Sequence, residues 1–198
     1  MLIDHGTGND IRFEGQFLGS GGIHLFGNNN TVIAPPETVL GMNIEIRGSN
    51  NTISLAYGAH IADGYALFIA DGCNLSIGMG STIEHAQLWF HETADITIGV
   101  DCMLSSAVFA SVSDVHSIFD EDGNRINYAR SIVIENHVWV GRGVTLLKGT
   151  RIGEGAIIGA GSTISGTVEP RTLVVGPPKK VIRRNVHWHR AFLNKIEV

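Results

Sequence analysis

A six-residue repeat constrains the fold of this chain more than any other feature. Stepping by six through the second half of the sequence gives six consecutive aliphatic residues: Ile134, Val140, Leu146, Ile152, Ile158 and Ile164. The residue four positions after each is small or β-branched, and glycine directly follows three of them. Six residues suit a short strand with its aliphatic side chain inward, followed by a tight corner. The repeat predicts stacked parallel β coils and disfavours helices, because frequent glycine destabilises a helix.

A weaker repeat with a longer period occupies the first half of the chain. Aliphatic residues recur at steps of 21, 22, 21 and 36 residues, at Val32, Ile53, Leu75, Ile96 and Ile132. Since three hexapeptides make 18 residues, we expect each early coil to carry a few extra corner residues and the last step to span two coils. The asparagine-rich segments 27–30 and 49–51 lie one period apart, so we predict that they stack as corners.

The repeat is interrupted once and is followed by a tail. We predict a β-helix domain over residues 1–182, with a loop insertion at 111–130, and a short C-terminal helix within 183–198 that caps the open end of the stack. A loop of that length without its own structure is usually functional. Its apolar residues favour an arm that packs on a neighbouring subunit: Ile118, Phe119, Ile126 and Tyr128.

Composition excludes several functional classes. A net charge of −5 and a pI near 5.9 argue against nucleic acid as the partner. The two cysteines, Cys73 and Cys102, have no metal-ligand spacing and are too few for a disulfide framework, which favours the cytoplasm. We expect no signal peptide and no integral membrane segment, because no apolar run approaches about 18 residues.

Four segments resemble the hexapeptide-repeat acyltransferase superfamily. They are SDVHSIFD at 113–120, VWVG at 138–141, GAGS at 159–162 and GPPKKVI at 176–182. The chain is similar to the galactoside, maltose and xenobiotic acetyltransferase branch, and especially to bacterial polysaccharide O-acetyltransferases. Pro177 and Lys179 depart mildly from the family pattern, and the first 95 or so residues match only as degenerate repeats. The resemblance implies an all-β, left-handed parallel β-helix; spacing alone does not give the hand, and parallel crossovers are normally right-handed.

The resemblance also implies a homotrimer with active sites between subunits, acetyl-CoA as co-substrate and no metal. Carried over by motif, the coenzyme contacts fall on Arg142, Ala160, Ser165 and Arg183, with Trp139 and Gly141 in the same groove. The Gly-Ala-Gly segment would let a pantetheine arm approach backbone amides closely. Cationic side chains after the repeat can meet the coenzyme's phosphates, namely Lys179, Lys180 and Arg183.

His116 is the candidate general base among nine histidines. It lies in the one long loop and in the matched motif, and acetyl transfer to a hydroxyl requires a base with a pKa near neutrality. Asp114 or a backbone carbonyl would fix its tautomer, and we expect direct transfer without an acyl-enzyme. His85, through a weak alignment, and Trp89 are assigned to the pocket of a sugar or surface-polysaccharide precursor.

Alternatives remain open at this point. Within the enzymes, a xenobiotic (streptogramin-type) acetyltransferase and an amino-sugar N-acetyltransferase share the same motifs. A carbonic-anhydrase-like metalloenzyme would need histidines five residues apart, and no two histidines in this sequence have that spacing. A purely structural β-helix is the alternative that is not an enzyme.

Overall fold

The computed structural model describes residues 1–194, which form a three-sided stack of eight coils. The strands of the first four coils are β1 (Leu2–Asp4), β2 (Asp10–Phe13), β3 (Gln16–Phe17); β4 (Gly22–Leu25), β5 (Thr31–Ala34), β6 (Val39–Leu40); β7 (Asn43–Ile46), β8 (Thr52–Leu55), β9 (His60–Ile61); β10 (Gly64–Phe68), β11 (Asn74–Ile77), β12 (Thr82–Ile83). Those of the last four coils are β13 (Ala86–Phe90), β14 (Ile96–Ile98), β15 (Met103–Leu104); β16 (Val108–Ser111), β17 (Ile132–Ile134), β18 (Trp139–Val140); β19 (Thr145–Leu146), β20 (Arg151–Ile152), β21 (Ile157–Ile158); β22 (Thr163–Ile164), β23 (Thr167–Val168), β24 (Thr172–Val175), followed by β25 (Lys180–Arg184).

Each coil contributes one strand to each of three parallel sheets. Face 1 contains every third strand from β1 to β22, face 2 those from β2 to β23, and face 3 those from β3 to β24 plus β25. The chain therefore turns three corners per coil: the first corner from face 1 to face 2, the second from face 2 to face 3, and the third back to face 1. The predicted parallel β-helix is confirmed.

The repeat residues form the core of the stack. All six aliphatic positions of the second half are at most 1% exposed. In the wider middle coils, aromatic side chains take the same inward position, and Phe68 stacks on Phe90 with ring centroids 4.1 Å apart. The inward apolar side chains of all three faces thus form one continuous core along the axis. Each coil is stabilised by packing its part of this core against the coils on either side.

The predicted stacking of asparagine corners is confirmed at the first corner. The backbone N–H of Asn30 donates to Oδ1 of Asn9 at 2.8 Å, and that of Asn51 donates to Oδ1 of Asn30 at 2.9 Å. The next coil continues the ladder, with the N–H of Cys73 donating to Oδ1 of Asn51 at 2.8 Å. Each side-chain amide oxygen accepts a hydrogen bond from a backbone N–H at the corner, where the chain leaves the β-sheet and the N–H has no strand partner.

The 36-residue step is one coil and not the two that we expected. Ile96 pairs directly with Ile132, and Leu104 with Val140. The extra residues leave the stack at the first corner as a loop over 112–131, between β16 and β17. The strands on either side of the loop pair with the preceding coil just as they would without the insertion. The number of residues between two repeat positions therefore does not give the number of coils.

The predicted C-terminal helix is wrong for the described part of the tail. Residues 180–184 form β25, which pairs antiparallel with β24, and residues 185–194 contain no helix; residues 195–198 lie outside the described residues. Unpaired backbone groups at the edge of face 3 accept a strand, and the β-branched Val181 and Ile182 favour one. Trp188 then anchors the tail by stacking on His137, with ring centroids 4.2 Å apart. Within residues 1–194, no helix has the length and apolarity needed to cross a bilayer.

Asn30→Ala is expected to destabilise the stack by about 2 kcal/mol, because the N–H of Asn51 and the carbonyl of Gly48 would lose a buried partner. Urea denaturation of the variant measures this loss. Asn28→Ala, at an exposed position of the same corner, is the matched control and should lose less. Equal losses in the two variants would contradict the role given to burial.

Candidate active site

The loop over 112–131 carries His116 out of the stack at the first corner. His116 is exposed, and its backbone N–H donates to the carbonyl of Asp114 at 2.7 Å. A bridge between Phe119 and Arg125 closes the outer part of the loop on itself. Val115, directly before His116, has a φ of 66°, a left-handed conformation that is unfavourable for a β-branched residue. Strain of this kind persists where surrounding contacts impose it, and it is common at functional sites.

Asn127 supplies the contacts that hold the backbone directly after His116. Only 7% of Asn127 is exposed. Its Nδ2 donates to the carbonyl of His116 at 2.8 Å, and its Oδ1 accepts the backbone N–H of Ile118 at 2.7 Å. One buried amide therefore fixes the segment that presents the imidazole, which is a form of preorganisation.

Asp114 pairs with a cation and does not bind the ring of His116 among the described contacts. Its Oδ2 accepts hydrogen bonds from Nζ of Lys148 and, at 2.9 Å, from Nδ2 of Asn127. The hydrogen bond from Lys148, followed by that from Asn127, lowers the pKa of Asp114. Lys148 also donates to the carbonyl of Asn127 at 2.9 Å. Asp114 thus ties the loop to the coil below it, and its assignment as the group that orients His116 stays a prediction.

A second ion pair ties the loop to the coil above. Nη1 of Arg125 lies 2.6 Å from Oε1 of Glu92, and the hydroxyl of Ser113 donates to the same carboxylate. The hydrogen bond from Arg125, and then that from Ser113, lowers the pKa of Glu92. Oγ of Ser113 in turn accepts the N–H of Val115 at 2.9 Å. The strained residue before His116 is therefore held by a chain of contacts that begins at Glu92, at the first corner of the preceding coil.

The residues predicted to bind the coenzyme line a groove on face 3 and the third corner. This groove has a volume of about 530 Å³, and its lining includes Trp139, Gly141, Arg142 and Ala160. Trp139 is 38% exposed and projects from β18. A Cβ at Gly141 would lie 2.7 Å from the backbone nitrogen of Ala160, so the glycine also keeps the two coils in contact.

The other predicted coenzyme residues lie at the C-terminal end of the stack. Nζ of Lys179 donates to the carbonyls of Ser165, at 3.4 Å, and Thr167, at 2.6 Å. Lys180 and Arg183 are exposed on β25, opposite Val175 and Leu173 of β24. These cations therefore lie beyond the C-terminal end of the groove. Lys179 already donates hydrogen bonds to two backbone carbonyls, which leaves it fewer for a ligand.

Within one chain, the loop and the groove are at different corners. His116 leaves from the first corner, whereas Gly141 and Ala160 lie at the third, with face 1 between them. The two predicted acceptor residues also lie on different parts of the stack. His85 sits at the third corner, and Trp89 lies in β13 on face 1, with its ring 5.1 Å from His91 and 6.0 Å from Phe109.

Sequence reasoning missed the residues that hold the loop. Asn127 and Arg125 were inside the recognised insertion, but a turn pattern does not show which side chain turns inward. Glu92 and Lys148 lie at corners of the coils before and after the loop. They meet the loop only because the coils stack, so the linear sequence does not show these contacts. Among residues 1–194, no cluster of three or more His, Cys, Asp or Glu side chains is arranged to hold a metal ion.

Comparisons with known proteins place this architecture in a family. Residues 131–166 match the family model described as bacterial transferase hexapeptide (six repeats). Over 152 residues the chain is 33% identical to the polysialic acid O-acetyltransferase of Neisseria meningitidis, covering 75% of this chain and 70% of that protein. The chain belongs to the hexapeptide-repeat acetyltransferases.

Solved structures of other hexapeptide-repeat acetyltransferases match along almost the whole chain. The polySia-specific acetyltransferase NeuO is 32% identical, with a TM-score of 0.86, over 100% of this chain and 91% of that one. The polysialic acid O-acetyltransferase OatWY is 28% identical, with a TM-score of 0.93, over 99% of this chain and 94% of that one. The left-handed β-helix implied by the resemblance is thereby confirmed.

Glu92→Gln is expected to lower stability at pH 7 by about 1 kcal/mol, because the ion pair with Arg125 is lost. The folded-state pKa of Glu92 lies below its ordinary value, so its carboxylate stabilises the fold above that ordinary value, and the contribution disappears as the pH falls through the lowered pKa. In thermal melts from pH 7 to pH 3, the difference between the variant and the wild type should therefore shrink as the pH falls below the ordinary pKa of a glutamate, about 4.3. Glu121→Gln, at the exposed loop tip, is the control and should melt with the wild type; a difference at pH 3 as large as that at pH 7 would contradict the assignment.

Proposed function

We propose that this protein transfers acetyl from acetyl-CoA to a hydroxyl of a sugar or surface-polysaccharide precursor, with His116 as the general base. The observation that carries the proposal is the presentation of His116. An exposed imidazole stands on a loop whose backbone directly after His116 is fixed by buried Asn127, in a chain that belongs to the acetyltransferases. A rigidly held base with a free ring is suited to take a proton from an incoming substrate.

The chemistry requires one base and one stabilised oxyanion. His116 would take the acceptor's hydroxyl proton while that oxygen attacks the carbonyl carbon of the thioester. The carbon–sulfur bond then breaks, and the proton passes to the departing thiolate. The negative charge that develops on the carbonyl oxygen needs a hydrogen-bond donor nearby. Asp114 would act through the loop, because its carboxylate is engaged by Lys148 and Asn127.

Acetyl-CoA would lie in the groove on face 3. Its walls include the indole of Trp139, and Gly159 and Ala160 give it a narrow floor close to backbone amides. Arg142, Lys180 and Arg183 are exposed around the groove and beyond it and can meet phosphates. Ser165 and Lys179, which contact each other across the end of the stack, would border the same path.

A homotrimer would complete the site. The loop of one chain and the groove of the same chain are at different corners, so a second copy can bring its loop to the groove. The loop also carries apolar side chains that one chain leaves exposed, with exposed fractions of 52% for Ile118, 59% for Phe119, 60% for Ile126 and 64% for Tyr128. Burial of these residues against a neighbouring subunit would stabilise a closed three-fold ring.

The acceptor class follows from the relatives. A glycan is the acceptor in the names of both the Neisseria meningitidis relative and NeuO. A polysaccharide precursor is accordingly favoured over a streptogramin-type alcohol, with His85 and Trp89 as candidate contacts. We place the reaction in the cytoplasm, where the two free and buried thiols, Cys73 and Cys102, would remain reduced.

His116→Ala is expected to lower kcat by about 10²–10⁴-fold, because the hydroxyl nucleophile loses its base. Release of free thiol from acetyl-CoA in the presence of a saccharide panel measures the rate. His5→Ala, which alters an imidazole stacked on Phe26 in the first coil, is the control and should retain wild-type turnover. A His116→Ala enzyme with an unchanged kcat would eliminate His116 as the base, and a wild-type protein that fails to bind acetyl-CoA would overturn the proposed function.

A further inference from the structure

The groove on face 3 continues past Trp139 toward the N-terminal coils. A second cavity of about 470 Å³ adjoins the coenzyme groove, and the two share Ser105 and Trp139 in their lining. The second cavity is also lined by His60, Ala62 and Glu84. Trp139 therefore stands between two compartments of one groove, one toward each end of the stack.

Two rows of outward side chains shape this N-terminal compartment. Strand register aligns His60, Thr82, Met103 and Trp139 on successive coils, and they form its wall. The residues two positions after His60, Thr82 and Met103 form its floor: Ala62, Glu84 and Ser105. Three coil steps separate His60 from Trp139, about 14 Å, which is long enough for a short oligosaccharide.

The polar groups of the compartment suit an uncharged, hydroxyl-rich ligand. The wall offers the imidazole of His60 and the hydroxyl of Thr82, which can donate because its Oγ1 already accepts a hydrogen bond from Arg190 at 2.9 Å. The floor offers the carboxylate of Glu84 and the hydroxyl of Ser105. Glu84 is exposed, and its carboxylate can accept hydrogen bonds from sugar hydroxyls but repels another carboxylate.

Arg190, which contacts Thr82 on the wall of the compartment, does not offset this charge. Nε of Arg190 is 2.7 Å from Asp101, and its other nitrogens donate to Thr82 and to the carbonyls of Gly80 and Cys102. Its charge is thus engaged by the carboxylate of Asp101. A polyanionic chain in this compartment would therefore face Glu84 without a free guanidinium from Arg190.

From these observations, and resting on the proposed acetyl transfer, we propose that the N-terminal compartment is the acceptor site and that it selects an oligosaccharide without carboxylates. Trp139 would separate the acceptor from the coenzyme and pack against the sugar ring nearest the thioester. In this respect the chain would differ from its relatives whose names specify polysialic acid, a polymer with one carboxylate per residue.

Filling the compartment tests its occupancy. Ala62→Phe places an aromatic ring on the floor, away from the coenzyme groove, and should raise KM for a neutral oligosaccharide at least tenfold while the Kd of acetyl-CoA stays constant. Ser54→Phe is the matched control, because Ser54 points outward from face 2 of the same coil, and its KM should equal that of the wild type. An unchanged KM in Ala62→Phe would overturn the acceptor site.

Charge reversal tests the selectivity. Wild-type enzyme should acetylate neutral maltooligosaccharides with a lower KM than polysialic acid of equal length, and Glu84→Lys should lower KM for polysialic acid at least fivefold. A wild-type preference for polysialic acid, or a KM for polysialic acid that Glu84→Lys leaves unchanged, would overturn the proposed selectivity. Isothermal titration with acetyl-CoA distinguishes failure of the proposed function from failure of this inference. A protein that does not bind acetyl-CoA disproves the proposed acetyl transfer. A protein that binds acetyl-CoA but gives a contrary result with Ala62→Phe or with polysialic acid disproves the acceptor site alone.

Discussion

Parallel pairing between successive coils is the constraint on which the rest of the structure depends. Each strand is only two to five residues long, so no coil could be stable by itself, and its backbone and inward aliphatic side chain are satisfied only by the coils on either side. Because the register is fixed at the three faces, variation is confined to the corners. Corners tolerate asparagine ladders, an extra residue or a whole loop without disturbing the core.

This arrangement explains how a long insertion can hold the proposed base, His116, in a fixed position. Loop 112–131 leaves the stack at one corner, and both of its ion pairs are made with corner residues of adjacent coils, Glu92 above and Lys148 below. Asn127 adds hydrogen bonds to the backbone directly after His116. The rigid stack thus determines where the proposed base stands.

The sequence was sufficient for the fold because a six-residue period leaves few alternatives. It also identified the loop, since an interruption is conspicuous against a regular repeat, and the role predicted for His116 within that loop stays a prediction. It failed where partners come from distant coils, as for Lys148, and where length was ambiguous, as in the 36-residue step. The tail was mistaken for a helix because the deciding factor was the free edge of face 3, which local pattern does not reveal.

The separation of the loop from the groove is the central claim, and complementation between subunits tests it most directly. His116→Ala removes the base, and Ala160→Trp fills the coenzyme groove at an exposed position, so each variant alone should be inactive. Co-expressed in equal amounts with different affinity tags, they should assemble mixed trimers in which one site in three is intact, giving about one quarter of wild-type acetyltransferase activity across the random mixture. Purified mixed trimers with no activity above that of the single variants would show that base and groove act within one chain.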